Sequence, residues 1–239
     1  MSIIFDEDRA SDSPFVERVW RCHSEGSGPF IAVASGHWEL VVTRLQGELT
    51  VSLHGPETRP REVYCPPDGD WLAIRFKSGT FMPQVPTARL LDGQDMVLPG
   101  AWRRSFRLNG SVWQVPSFDN AETFVARLAK AGIIARDPAV AAALQGDVQA
   151  LSRRSVQRHF LHATGMTYAA LRQIERARYA TILLRRGVSV SDVVHEAGYF
   201  DQAHMTRGLR SLIGLTPAMI ARAEQQLSFL YKTTPAMPG

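Results

Sequence analysis

The chain has 239 residues, 45% apolar and 21% charged, with a net charge of +4. That composition is ordinary for a globular protein and excludes a disordered chain. Two cysteines, Cys22 and Cys65, are too few for a disulfide framework and lack metal-ligand spacing, and no apolar run approaches the roughly 18 residues of a membrane span.

The chain opens Met-Ser-Ile-Ile-Phe-Asp-Glu-Asp, without the basic and apolar regions of a signal peptide, so a cytoplasmic protein with no membrane partner is expected. From Phe30 to about Trp113 the pattern is β. His37–Thr43, Gly47–Leu53 and Asp70–Phe76 are short, rich in β-branched and aromatic residues, and partly alternating. Leu49, Val51 and Leu53 should share one face of a strand, as should Leu72, Ile74 and Phe76. Pro66-Pro67-Asp68-Gly69 reads as a turn between two strands. A small barrel or sandwich over residues 1–118 follows. Trp38, Tyr64, Trp71, Arg75 and Phe76, with Trp102 and Trp113 further on, are candidates either for its core or for a ligand pocket. From Asp119 the period becomes helical, with Phe124, Leu128 and Ala131 on one face, giving a helical connection over 119–136. The fold class is therefore α+β: a β-rich front followed by an all-α back, with a tail, 224–239, that is partly disordered.

Charge divides at the same place. Residues 1–135 carry 14 Lys and Arg against 16 Asp and Glu, whereas residues 136–223 carry 12 arginines and no lysine against 6 acids. A net of −2 in front and +6 behind sets the back half toward an anion or gives it a solvated basic surface.

The back half holds the chemistry. In Ser189-Val-Ser-Asp-Val-Val-His-Glu-Ala-Gly198, Ser189 is placed to cap a helix with Asp192 three residues on. Val190, Val193, Val194 and Ala197 form its buried face, and Gly198 ends it in a tight turn. A second helix begins near Asp201 with an inner stripe of Met205, Leu209, Leu212 and Ile213. Gln202, His204, Thr206, Arg207 and Arg210 are left largely outward. A short helix, a glycine turn and a helix presenting Gln, Thr and Arg specify a helix-turn-helix whose second helix reads duplex DNA. Gln matches adenine, and Arg matches guanine or phosphate. Helix-glycine-helix corners also occur in proteins that never touch DNA.

The pattern recurs upstream in Leu151-Ser-Arg-Arg-Ser-Val-Gln-Arg-His-Phe160, with Val156, Phe160 and Ala163 inward and Arg153, Arg154, Gln157 and Arg158 outward. Between the two units, Tyr168–Arg186 has a helical seam of Leu171, Ile174, Ala177, Thr181 and Leu184. At about 1.5 Å per residue it spans roughly 28 Å, close to the roughly 34 Å between successive major grooves on one face of a duplex.

These phrases, with Gly165-Met-Thr167, Gly198-Tyr-Phe-Asp-Gln-Ala-His-Met-Thr-Arg207 and Gly214-Leu-Thr-Pro217, make residues 137–223 resemble the DNA-binding domain of AraC/XylS-type transcriptional regulators. The resemblance implies that Arg154, Gln157 and Arg158 of the first unit and Gln202, Ala203, Thr206 and Arg207 of the second reach DNA. Ala203 falls where a polar residue is more usual, with His204 as its substitute. It also implies a β-rich sensor domain for a small-molecule effector, with RNA polymerase and a second copy of the chain as further partners. One departure stands out: before the first recognition helix only Pro138–Leu144 and the stretch to Ala150 are available, so the first unit is shortened. His159 and His162 lie three apart on a helix without a carboxylate or cysteine partner, so a solvated or DNA-facing role is expected and no metal. Neither a cofactor nor a catalytic residue is expected. The competing readings are a helical interaction module without DNA binding and a relative of DNA-repair alkyltransferases, whose zinc-bound cysteine cluster two isolated cysteines cannot build.

Overall fold

The computed structural model describes residues 2–93, 95–146, 152–223 and 227. The stretches 147–151 and 224–226, and the tail beyond 227, lie outside it. Leu151 and the Asp147–Ala150 connection therefore fall outside the described residues, as does almost all of the tail.

Twelve strands and seven α-helices are present among the described residues. The front half contains β1 (Ser2–Ala10), β2 (Val16–Glu25), β3 (Gly28–Ala32), β4 (Glu39–Leu45), β5 (Glu48–His54), β6 (Arg61–Cys65), β7 (Gly69–Phe76) and the short β8 (Thr80–Phe81). A 3-10 turn at Thr87–Arg89 follows, then β9 (Met96–Val97), β10 (Ser105–Leu108) and β11 (Ser111–Gln114). The main sheet is antiparallel in the order β1-β2-β7-β4-β5-β9, and β3–β6 and β10–β11 form separate ribbons. The turn at 66–69 joins β6 to β7, and Asp68 takes the left-handed backbone (φ 54°) that a tight turn requires. Strands β1 and β2 precede the region that periodicity marks as β. The run Asp6-Glu7-Asp8-Arg9 masks alternation in β1, whose register also slips between Phe5 and Glu7.

Side chains alternate across the main sheet, and each face has its own core. One face gathers Val19, Leu40, Val42, Val51, Leu53, Ile74 and Phe76, closed over by Phe124, Val125 and Leu128 of α1 (Ala121–Lys130). Residues 119–136 are therefore bound into the front half. After α1 the chain forms β12 (Ala135–Arg136), which pairs back onto β8.

The other face carries Trp20, Cys22, Val41 and Ala73 and shares a core with the helices behind. Those helices are α2 (Pro138–Leu144), α3 (Arg153–Thr164), α4 (Tyr168–Arg185), α5 (Val190–Glu196), α6 (Gln202–Leu212) and α7 (Pro217–Ala221). Five of the six, α3 to α7, begin at Ser152, Thr167, Ser189, Asp201 and Thr216, whose side-chain oxygens accept a backbone N–H of the first turn. Asp137 caps α2 by accepting from Ala139 and Val140. Helix α4 is buried nearly all round: the seam expected from the sequence is inside, and so are Arg178, Tyr179, Ala180 and Leu183. A helix flanked on one side by a sheet and on the other by helices no longer needs a polar stripe.

Candidate nucleic-acid interface

The second unit is built by α5 and α6. Ser189 Oγ accepts the Asp192 N–H at 3.2 Å and donates to the Asp192 carboxylate at 2.6 Å, closing the first turn of α5. Gly198 ends the turn after α5 with φ 67°, where a side chain would be strained. Val193, Met205, Leu209 and Ile213 are fully buried between α5, α6 and α4, and Tyr179 Oη donates to Glu196 at 2.6 Å, tying α4 to α5. That packing turns the other side of α6 outward: Gln202, Ala203, Arg207 and Arg210 are exposed and Thr206 is half-buried. His204 behaves differently from expectation. Its Nδ1 accepts the Phe200 N–H at 3.3 Å, and its ring meets Tyr199 edge-on at 5.3 Å, so it braces the turn. Thr206 Oγ1 donates to the Gln202 carbonyl at 2.8 Å, leaving its methyl as the free part.

In the first unit Phe160 and Ala163 are buried against Val140, Ala143 and Leu171, while Arg153, Arg154, Gln157 and Arg158 are exposed. Between residue 137 and α3, Pro138–Leu144 is the single described helix. Asp137 compensates in part: besides capping α2, its carboxylate holds His159 Nδ1 of α3 at 2.7 Å. His162 sets its ring edge on Phe81 at 4.8 Å, and its carbonyl accepts from Thr87 Oγ1 at 2.7 Å. The His159 side chain therefore helps pin α3 in place, a correction to the solvated or DNA-facing role expected for it, whereas His162 stays exposed and meets Phe81 with its ring edge. Sequence spacing could not show this, because Asp137, Phe81 and Thr87 are 22 to 81 residues distant. Among the described residues, Arg153, Arg154, Arg158, Arg207 and Arg210 form no ion pair with an acid. The connecting α4 has 18 residues, about 27 Å at the helical rise.

A model described as a helix-turn-helix domain matches residues 147–223. The matched residues carry a helix-turn-helix domain. The HTH-type transcriptional regulator RipA of Corynebacterium glutamicum is 32% identical over 198 residues, covering 75% of this chain and 56% of that protein. The chain thus spans about half the length of this curated relative. Two solved structures of ToxT from Vibrio cholerae also align. One has 8% identity and a TM-score of 0.41 over 90% of this chain and 97% of its own. The other, bound to (E)-4-(8-methylnaphthalen-1-yl)but-3-enoic acid, has 9% identity and a TM-score of 0.42 over 85% and 97%.

Further contacts fasten the helix-turn-helix domain to the front half. Ala34 N–H donates to the Leu212 carbonyl at 2.9 Å, and Gly36 lies against Leu171. Buried His37, just before β4, has Nδ1 3.1 Å from Glu17 and Nε2 3.5 Å from Glu175 of α4. Burial alone would lower the His37 pKa, but Glu17 and Glu175 outweigh it and raise it. Burial likewise opposes ionisation of Glu175, yet His37, Arg178 and Arg75 hold its carboxyl at about 2.

Beside this junction lies a cavity of about 330 Å3, walled by the main sheet, the β3–β6 ribbon and Arg178 of α4. Of the five pocket candidates, Tyr64, Trp71 and Arg75 line it; Arg75 Nε donates to Glu39 at 2.8 Å. Trp38 and Phe76 do not, which corrects the expectation: both are buried in the core on the opposite face of the sheet. Arg75 and Phe76 are neighbours in one strand, so alternation forbids both from facing one cavity. Trp113 packs on Phe124 in that same opposite core, and Trp102 is exposed. Cys22 and Cys65 also line the cavity, and burial pushes Cys22 up to about 12 and raises Cys65, which keeps both as thiols. No group of three or more metal-binding side chains occurs among the described residues, nor is any helix long and apolar enough to cross a membrane.

Proposed function

We propose that the protein is a sequence-specific regulator of transcription that binds duplex DNA with α3 and α6, with the front half as the controlling domain. The observation that carries this reading is the pair of outward faces, Arg153, Arg154, Gln157 and Arg158 on one helix and Gln202, Ala203, Thr206, Arg207 and Arg210 on the other, joined by a rigid connector. Arginine and glutamine there suit phosphates and the major-groove edges of guanine and adenine. Burial holds Cys22 and Cys65 as thiols, which does not favour an alkyltransferase reading.

Control by a small molecule is the second part of the proposal. A ligand in the 330 Å3 cavity would touch Trp71 and Arg75 of the sheet and Arg178 of α4 together, so binding would bear on the connector between the two units. Cytoplasmic residence, a second copy of the chain and RNA polymerase complete the proposed setting. Selection of bound sequences from a random duplex pool, followed by footprinting, tests DNA binding. Two protected patches about one helical turn apart are expected; a protein that enriches no sequence and protects no site would refute it. For control, metabolites are titrated while tryptophan fluorescence, to which Trp20 and Trp71 of the cavity contribute, and operator affinity are followed. Saturation of the cavity without any change in affinity would argue against it.

A further inference from the structure

Phe200 stands out among the exposed residues. Its side chain is 90% accessible, the highest of the large apolar residues described, and it lies one position before the Asp201 cap of α6. A slack loop is not the reason. Tyr199 beside it is buried, packs edge-on against His204 and sits so close to Gly208 that a Cβ there would lie 3.3 Å from its ring. Arg176 covers the same ring, 5.5 Å from its centroid. The Phe200 N–H is held by His204 Nδ1, and the His204 N–H by the Asp201 carboxylate at 2.6 Å. The turn is therefore fixed on both sides of Phe200, with one aromatic locked inward and the next directed outward.

The leading end of a recognition helix is the part that contacts base edges. Here that end carries Phe200, Gln202 and Ala203, all exposed, before the first arginine is reached at 207. His204 is spent on the turn and the exposed Asp201 carboxylate on capping α6, so the groups left over at this end are apolar, amide, apolar. Exposed Asp201 and Gln202 follow Phe200 in the chain, so it stands as a single ring and not as the broad apolar patch a protein partner would cover. A single exposed ring and a methyl match instead a single apolar group on the partner. In the major groove only thymine offers one, its C5-methyl, and phenylalanine and alanine are among the side chains that contact it.

We propose that the second unit reads a thymine methyl through Phe200 and Ala203, next to an adenine read by Gln202, so that its half-site contains an A·T step facing the start of α6. This rests on the DNA-binding reading above.

The test uses the full chain and the duplex it selects from a random pool. Each thymine of the half-site is replaced in turn by deoxyuridine, which keeps base pairing and loses only the methyl. One replacement should weaken binding about fourfold or more, the factor that about 0.8 kcal/mol per buried methyl-sized group represents. Phe200→Ala should weaken binding to the thymine duplex by at least as much and should no longer distinguish thymine from deoxyuridine at that position. Because Phe200 is exposed, the variant should melt with the wild type, and a melting curve checks this. Wild-type binding that ignores every replacement overturns the proposal while leaving DNA binding intact. So does Phe200→Ala losing affinity equally on selected and random duplexes, which would place the ring against the sugar-phosphate backbone. If the wild-type chain selects no duplex at all, the underlying reading fails with it.

Discussion

Gly36→Ala probes the seam between the front half and the connector helix. Its backbone does not require glycine, since Gly36 is not among the residues with positive φ. What it requires is space: an added Cβ would fall within the envelope of Leu171 Cδ1, with Leu171 Cγ 3.4 Å and Met166 Cε 3.8 Å away. Leu171 cannot simply swing aside, because it is 1% exposed and enclosed by Val140, Ala143, Phe160 and Ala163. Forcing one methyl into such a core costs about 1–3 kcal/mol. For a chain of this size each kcal/mol moves the melting temperature by about 2–4 °C, so a fall of about 2–12 °C is expected. Leu171→Ala alone should cost about 2–5 kcal/mol through the cavity it leaves. Combined, the two should cost less than their sum by about 1 kcal/mol or more, because the deleted side chain makes room for the new methyl. Thermal melts of the four proteins give the cycle, and hydrogen exchange at the start of α4 locates the strain. A Gly36→Ala protein that melts like wild type, or a strictly additive double variant, would refute the claim that these two residues meet across the seam.

The DNA-facing predictions are simpler. Arg207→Ala should weaken selected-site binding by about 1–3 kcal/mol with a smaller loss on random duplex, measured by fluorescence anisotropy; equal losses would assign the residue to phosphate. Arg154→Ala should lower the salt slope by about one phosphate equivalent; an unchanged slope and footprint would remove α3 from the interface. At the seam, His37 has a raised pKa and Glu175 one depressed to about 2. The stability that His37 adds is complete below its unfolded pKa near 6.5 and fades as pH climbs through its higher folded value. That of Glu175 is complete above its unfolded pKa near 4.5 and is lost as pH falls toward about 2. The joint contribution therefore peaks between about 4.5 and 6.5, and His37→Gln should flatten the alkaline decline in melting temperature; an unchanged profile would contradict this coupling.

Much of the back half was legible because its signals are local. Ser189, Gly198 and Asp201 mark helix ends through bonds to residues a few positions away, and the inward steps of Met205, Leu209 and Ile213 follow one helical period. The front half was readable strand by strand, as in the Leu49, Val51, Leu53 face, but which face meets what is decided across the chain. That is why sequence alone sets Phe76 beside Arg75 as a pocket candidate although the sheet turns them to opposite sides. It is also why Ile3 and Phe5 of β1 went unnoticed on the cavity wall, hidden beside a run of charges. His159 and His162 show the same limit from the other side: their partners come from the segments before α2, and only tertiary packing makes those contacts.

The double-sided burial of α4 has a consequence for anyone who divides the molecule. Cutting the chain near residue 136 would strip Ala34 and Gly36 from Ile174 and Leu171 and bare an apolar strip along the first turns of α4. Such a strip promotes self-association in water, so the liberated back half should be sticky and poorly soluble. The front half therefore serves as a solubilising jacket for the helices behind it, quite apart from any signal it transmits.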